Sequence, residues 1–172
     1  MPSLCTLYFS LVYPYLQYGT IVWGSTYKTT LNRLVVLRKR IIRVITKSCF
    51  DAPSAPLFYE HNFLNLSNIY MLQISLFMFS FKNNYKLLPV SFHGMFLSSS
   101  QLHSYNTRNA MNYRSQFSRT NFRKFTIAYQ GPNFWNTLPA ELKDESSKNV
   151  FRKNLHRFLV QQANLSKLFL CC

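Results

Sequence analysis

Five carboxylates make up the whole acid content of this 172-residue sequence: Asp51, Glu60, Glu141, Asp144 and Glu145. Phosphoryl transfer through two metal ions needs several carboxylates close enough to share those ions. Only Glu141, Asp144 and Glu145 stand near one another, just after Pro139. Asp144 and Glu145 read more simply as negative charge favouring the N-terminus of a following helix. His61, His93, His103 and His156 are scattered, with no G-x-S-x-G, Gly-rich phosphate loop or H-E-x-x-H. Cys5, Cys49, Cys171 and Cys172 form no C-x-x-C pair and have no His at zinc-ligand spacing. The expectation is a chain with no self-sufficient catalytic site, no metal and no cofactor. Its thiols point to a reducing intracellular compartment, nucleus or cytoplasm.

What the residues do offer is positive charge. Twenty Lys and Arg face the five acids, for a formal net charge of +15, and such a body repels itself unless something anionic neutralises it. Nucleic acid, an acidic membrane surface or an acidic protein would each serve. Cations interleaved with aromatics favour nucleic acid. The densest run is "LNRLVVLRKRIIRVITKS" (31–48), with six Lys or Arg and no acid. On a wheel of about 100° per residue, Leu34, Leu37, Ile41, Ile42, Val44 and Ile45 share one half. Arg33, Lys39, Arg40, Arg43 and Lys47 crowd the other, and Arg38 alone projects from the apolar side. Like charges at i,i+4, such as Lys39 with Arg43, cost roughly a few tenths of a kcal/mol each. Solubility does not require a single sign, so a phosphate-facing helix is expected. A second set, Arg108, Arg114, Arg119, Arg123 and Lys124, is interleaved with Tyr105, Tyr113, Phe117, Phe122 and Phe125. Such rings either stack on unpaired bases or plug an irregular chain onto its core.

Helices must position most of these groups. Leu4, Leu7, Tyr8, Leu11 and Val12 recur at helical spacing, and Pro14 is expected to end that helix and open a second. Residues 27–47 carry the strongest helical pattern. "SCFDAPSAP" (48–56) reads as a loop in which Asp51 or Ser54 caps a short helix at about 55–61. Residues 65–83 are apolar nearly all round, which predicts the centre of a bundle. The uncharged stretches 3–27 and 62–81 hold enough polar residues that buried helices suit them better than membrane spans. From about 98 periodicity weakens, predicting irregular, partly extended chain with a short hairpin. Gly131–Pro132 is expected to start a helical turn. Ser146 or Ser147 then caps a last helix to about 162, with Phe151, Leu155, Phe158 and Leu159 on one face. The expected fold is mainly α: a helical bundle with an irregular segment at about 98–130 and a C-terminal helix. Residues 1–97 and 98–165 are expected to pack as one domain, leaving 166–172 as a tail.

Three blocks add a likeness. "LVYPYLQYGTIVWGSTYKTTLNRLVVLRKRIIRVIT", "HSYNTRNA" and "AYQGPNFWNTLP" followed by an F-x-x-x-L helix resemble the stretch after the polymerase core of jockey-like non-LTR retrotransposon reverse transcriptases. The blocks occur in that family's order and span about 5–162. The resemblance implies a thumb-like region at 1–97 and a C-terminal region that grip RNA, DNA or an RNA–DNA duplex. Chemistry would occur in a palm domain, which becomes a candidate partner. Palms of this kind carry a Tyr-x-Asp-Asp turn, whereas this sequence has no Asp-Asp pair, so no catalytic residue is carried over. Arg38 is a departure, since the resemblance leads us to expect Gln before the Lys-Arg pair. The added cation either disturbs the local packing or, as a nucleic-acid-binding residue with the other five, gives the helix another phosphate contact. Tyr18, Gly19, Trp23 and Gly24, like Gly131, Pro132, Trp135 and Asn136, read as architectural. The expected function is sequence-independent binding of nucleic-acid backbone without catalysis. The alternatives are a basic module for an acidic protein or membrane surface, and a translated relic without function.

Overall fold

Pro14 sits in the first turn of a second helix, as expected, but no break in the helical run precedes it. In the computed structural model, which describes residues 2–102 and 112–168, α1 (Pro2–Leu7) widens into a π turn over Tyr8–Val12. It then continues as α2 (Tyr13–Gln17). Proline cannot donate to the carbonyl one turn back, and its ring crowds that carbonyl. A π turn absorbs the misfit while keeping the chain helical, where a break was expected. The turn buries Tyr8, whose ring meets Phe63 edge-on at 4.9 Å.

Gly19 turns the chain with φ +62 into α3 (Thr20–Trp23), and the Trp23 indole N–H donates to the Tyr18 carbonyl at 2.9 Å. Gly24 follows where the Tyr70 ring leaves no room: a Cβ there would lie 2.5 Å from Tyr70 Cδ2. Next comes α4 (Lys28–Thr46), which buries Arg38, Ile42 and Ile45. Leu37 and Val44 are exposed, so the buried arc is centred on Arg38 and not on the purely aliphatic half of the wheel. The helix ends at Lys47, left-handed with φ 55. There the Ser48 N–H reaches the Arg43 carbonyl at 3.0 Å and the Lys47 N–H reaches Val44 at 3.2 Å. Then follows α5 (Ser54–Glu60), behind Pro53 and without any side-chain cap, so neither Asp51 nor Ser54 plays that part.

Asn65 does cap. Its Oδ1 accepts the Asn68 N–H at 2.7 Å and opens α6 (Leu66–Asn84). Ile69, Leu72, Ile74, Met78 and Phe79 are buried on different sides of this helix, as its all-round apolar pattern predicts. The described chain divides into two compact units. One holds the residues up to Tyr70 with those from Leu155 on, and the other holds Met71–Asn154. Both α6 and α11 (Lys148–Leu168) run on from one unit into the other.

In the second unit, 3₁₀ turns at Tyr85–Leu87 and Val90–Phe92 precede α7 (Ser99–Leu102). Extended pairing among the described residues is limited to one antiparallel bridge, Ser98 with Tyr113. The "HSYNTRNA" block, Arg108 and Tyr105 lie outside the described residues. Thr120 Oγ1 accepts the Arg123 N–H to open α8 (Asn121–Lys124), and α9 (Ile127–Thr137) follows. Gly131–Pro132 was expected to begin that helix and instead sits inside it. Thr126, in an extended conformation, starts α9 a turn earlier. Gly131 is buried so tightly that a Cβ would lie 2.8 Å from Met78 Sδ and 3.3 Å from the Phe96 ring. After α10 (Ala140–Lys143), α11 brings Phe151 against Phe79, ring centroids 4.5 Å apart and stacked.

Asn136 ties the irregular stretch to α9. It accepts the Tyr113 N–H on Oδ1 at 3.0 Å and donates Nδ2–H to the Tyr113 carbonyl at 2.8 Å. Replacing it with alanine leaves two half-buried backbone groups without partners. Asn136→Ala is expected to cost about 1–3 kcal/mol in chemical denaturation, against near neutrality for Thr137→Ala on the exposed side.

Candidate nucleic-acid interface

Relative to the buried Arg38, the cations Arg33, Lys39, Arg40 and Arg43 fall within an arc of about 120° on the far side of α4, at about 100° per residue, and Lys47 follows at its C-terminal cap. Arg33, Lys39, Arg40 and Lys47 are exposed. Arg43 is half-buried because its Nε donates to the Ala52 carbonyl at 2.8 Å, tying the helix to the loop that follows. Among the described residues no carboxylate lies within ion-pair distance of any of the five. One helix half is therefore a field of one sign. Its cost is borne by the helix, since i,i+4 repulsion is not relieved by acids.

Lys47 marks that cost at one residue. A lysine in the left-handed region carries a penalty that glycine escapes. Lys47→Gly is expected to raise stability by about 1 kcal/mol in thermal or urea denaturation while removing one cation from the stripe. Equal or lower stability in the glycine variant would show that the lysine stem packs in a way that offsets its backbone.

Arg38 is separate from this field. It is 2% exposed, donates from Nη2 to Tyr8 Oη at 2.8 Å and to the Leu64 carbonyl at 2.6 Å, and lies 5.3 Å from the Phe58 ring centroid. A guanidinium so enclosed does not reach a duplex on the outside of the helix. It joins the N-terminal π turn, α4 and the loop before α6 within the first unit.

The second cation set lies in the other unit. Arg114 and Arg119 are exposed; Arg123 Nη2 donates to Gln116 Oε1 at 3.3 Å, and Lys124 Nζ to Asn121 Oδ1 at 3.5 Å. Its aromatics divide sharply. Tyr113 is buried and its pKa is pushed up to about 12 by burial. Phe117 and Phe122 are 86% and 82% exposed, beside those arginines in the chain.

Lys143, which the sequence pattern did not single out, is the second buried cation. Its Nζ donates to Asn112 Oδ1 at 3.0 Å and to the Asn136 carbonyl at 3.3 Å, while Lys82 Nζ donates to the Lys143 carbonyl at 2.6 Å. Burial, and secondarily Lys82, lowers its pKa, with Asp144 acting in the opposite direction. Asp144 meets Lys82 at 3.8 Å and Glu145 accepts from Asn154 Nδ2 at 2.8 Å, so both acids have structural partners. Among the described residues no group of His, Cys, Asp and Glu is placed to hold a metal ion. No described helix is long and apolar enough to cross a membrane. No family model, curated protein or solved structure matches the chain.

Proposed function

We propose that the chain is a thumb-side, C-terminal relative of jockey-like non-LTR retrotransposon reverse transcriptases. In this reading it is without catalysis of its own and binds RNA, DNA or an RNA–DNA duplex through the backbone. The three ordered sequence blocks support the kinship. The binding reading rests on one observation: α4 presents Arg33, Lys39, Arg40 and Arg43 on one half of the helix, with Lys47 at its C-cap and no acid in reach. A single sign without acids suits phosphates, and phosphate contacts carry no sequence preference. Phe117 and Phe122, exposed next to Arg119 and Arg123 in the chain, suit unpaired bases and add a single-stranded component.

Salt dependence tests the reading. With about six phosphate contacts, affinity for a labelled RNA–DNA duplex falls roughly a thousandfold between about 50 and 200 mM salt. A response flat over that range contradicts backbone binding. Co-sedimentation with anionic liposomes stronger than duplex binding would favour the membrane-surface alternative. Primer extension by the isolated chain is expected to be nil, and metal-dependent nucleotide incorporation would overturn the catalytic part.

A further inference from the structure

Arg38 has more donors than the fold uses. A guanidinium carries five N–H bonds and stays charged in proteins. Nη2 serves Tyr8 Oη and the Leu64 carbonyl, while Nε and Nη1 are closed off from solvent and have no acceptor. Three N–H bonds of a buried cation thus lack partners, a costly arrangement unless something supplies the missing oxygens. The same side chain borders a pocket of about 310 Å³ in the first unit. Its wall mixes apolar residues, Phe58, Phe63 and Leu66, with polar ones, Lys39, Asn65 and Ser67. No carboxylate lines it.

We propose that this pocket is a binding site for a small organic oxyanion, a carboxylate or phosphate monoester carried on a flat apolar body. The acid group takes the acceptor position beside Nε and Nη1 of Arg38. The body lies against Phe58 and Phe63, and Lys39 adds charge near the entrance. A bare inorganic ion would use only the polar part of the wall, and a neutral apolar molecule would leave the guanidinium unpaired. The mixed wall selects a ligand with both parts. Because both nitrogens are closed to water, binding requires the side chains between them and the pocket to move aside. The site shares Lys39 with the exposed stripe, but its argument rests on Arg38 and does not depend on the nucleic-acid reading.

The test titrates the full chain with phenyl phosphate, benzoate and inorganic phosphate, each against sodium chloride at equal ionic strength. Binding is read by thermal shift and by calorimetry. Saturable stabilisation by phenyl phosphate or benzoate is expected, and whichever is stronger identifies the acid group. Ala55 lines the pocket from an exposed position, so Ala55→Trp fills it without touching the core. That variant and Arg38→Gln are each expected to weaken binding by about tenfold or more. Should Arg38→Gln fail to fold, Ala55→Trp carries the comparison alone. The proposal is overturned if neither organic anion exceeds sodium chloride, if Ala55→Trp binds as the wild type does, or if inorganic phosphate matches phenyl phosphate.

Discussion

Truncating Phe151 to alanine is expected to cost about 3–5 kcal/mol, among the largest single stability effects in the described chain. Phe151 is wholly buried; its ring stacks on Phe79 at 4.5 Å and lies 6.0 Å from that of Trp135. Removing the ring takes away both contacts and opens a cavity that three different helices border: α6, α9 and α11. Since small domains are stable by only about 5–15 kcal/mol in total, the variant should lose a large share of that margin and unfold at markedly lower urea. Urea denaturation and loss of the aromatic circular-dichroism signal are the measurements. Val150, exposed one position earlier, should tolerate alanine within about 0.5 kcal/mol. A Phe151→Ala loss below about 1 kcal/mol would mean that the second unit closes over the gap, a softness at odds with stacked rings at that distance.

The parts of this fold legible in advance were those whose pattern repeats over several turns. For α4, α6 and α11, the apolar spacing marked each helix and named residues that are buried, such as Ile42, Ile69, Phe151 and Leu155. What failed was local punctuation. Pro132 looks in sequence like a boundary, yet it lies within α9, next to a glycine squeezed against Met78 and Phe96. Pro14 opens α2 as expected, but behind a π turn where a break was expected. Whether proline ends a helix is decided by what its neighbours can absorb. Arg38 was visible as the misplaced cation of the wheel. Its burial was not legible, because the groups receiving it, Tyr8 Oη, the Leu64 carbonyl and the Phe58 ring, come from three distant segments. Likewise Tyr113 and Phe117 are alike in sequence and opposite in exposure. The difference comes from the bridge to Ser98 and the Asn136 clamp, both partners remote in sequence.

The second large effect concerns binding. Replacing Arg33, Lys39, Arg40 and Lys47 together with glutamine should weaken duplex affinity by about three orders of magnitude near 0.1 M salt. The slope of log K against log salt should flatten by about four. Stability should hold or rise slightly, because the changes remove like-charge pairs and leave Arg38 and the Arg43 contact to Ala52 in place. Phe117→Ala with Phe122→Ala provides the contrast. Those rings are exposed and add little to stability, so their loss should spare duplex binding while costing about 1–3 kcal/mol per stacked base on single strands. The two variants make opposite demands on the two ligands, which a general loss of folding cannot imitate. If the four-cation variant loses no more affinity than a variant carrying four glutamines among the remaining Lys and Arg of the chain, net charge alone accounts for binding. The α4 stripe would then have no special part in it.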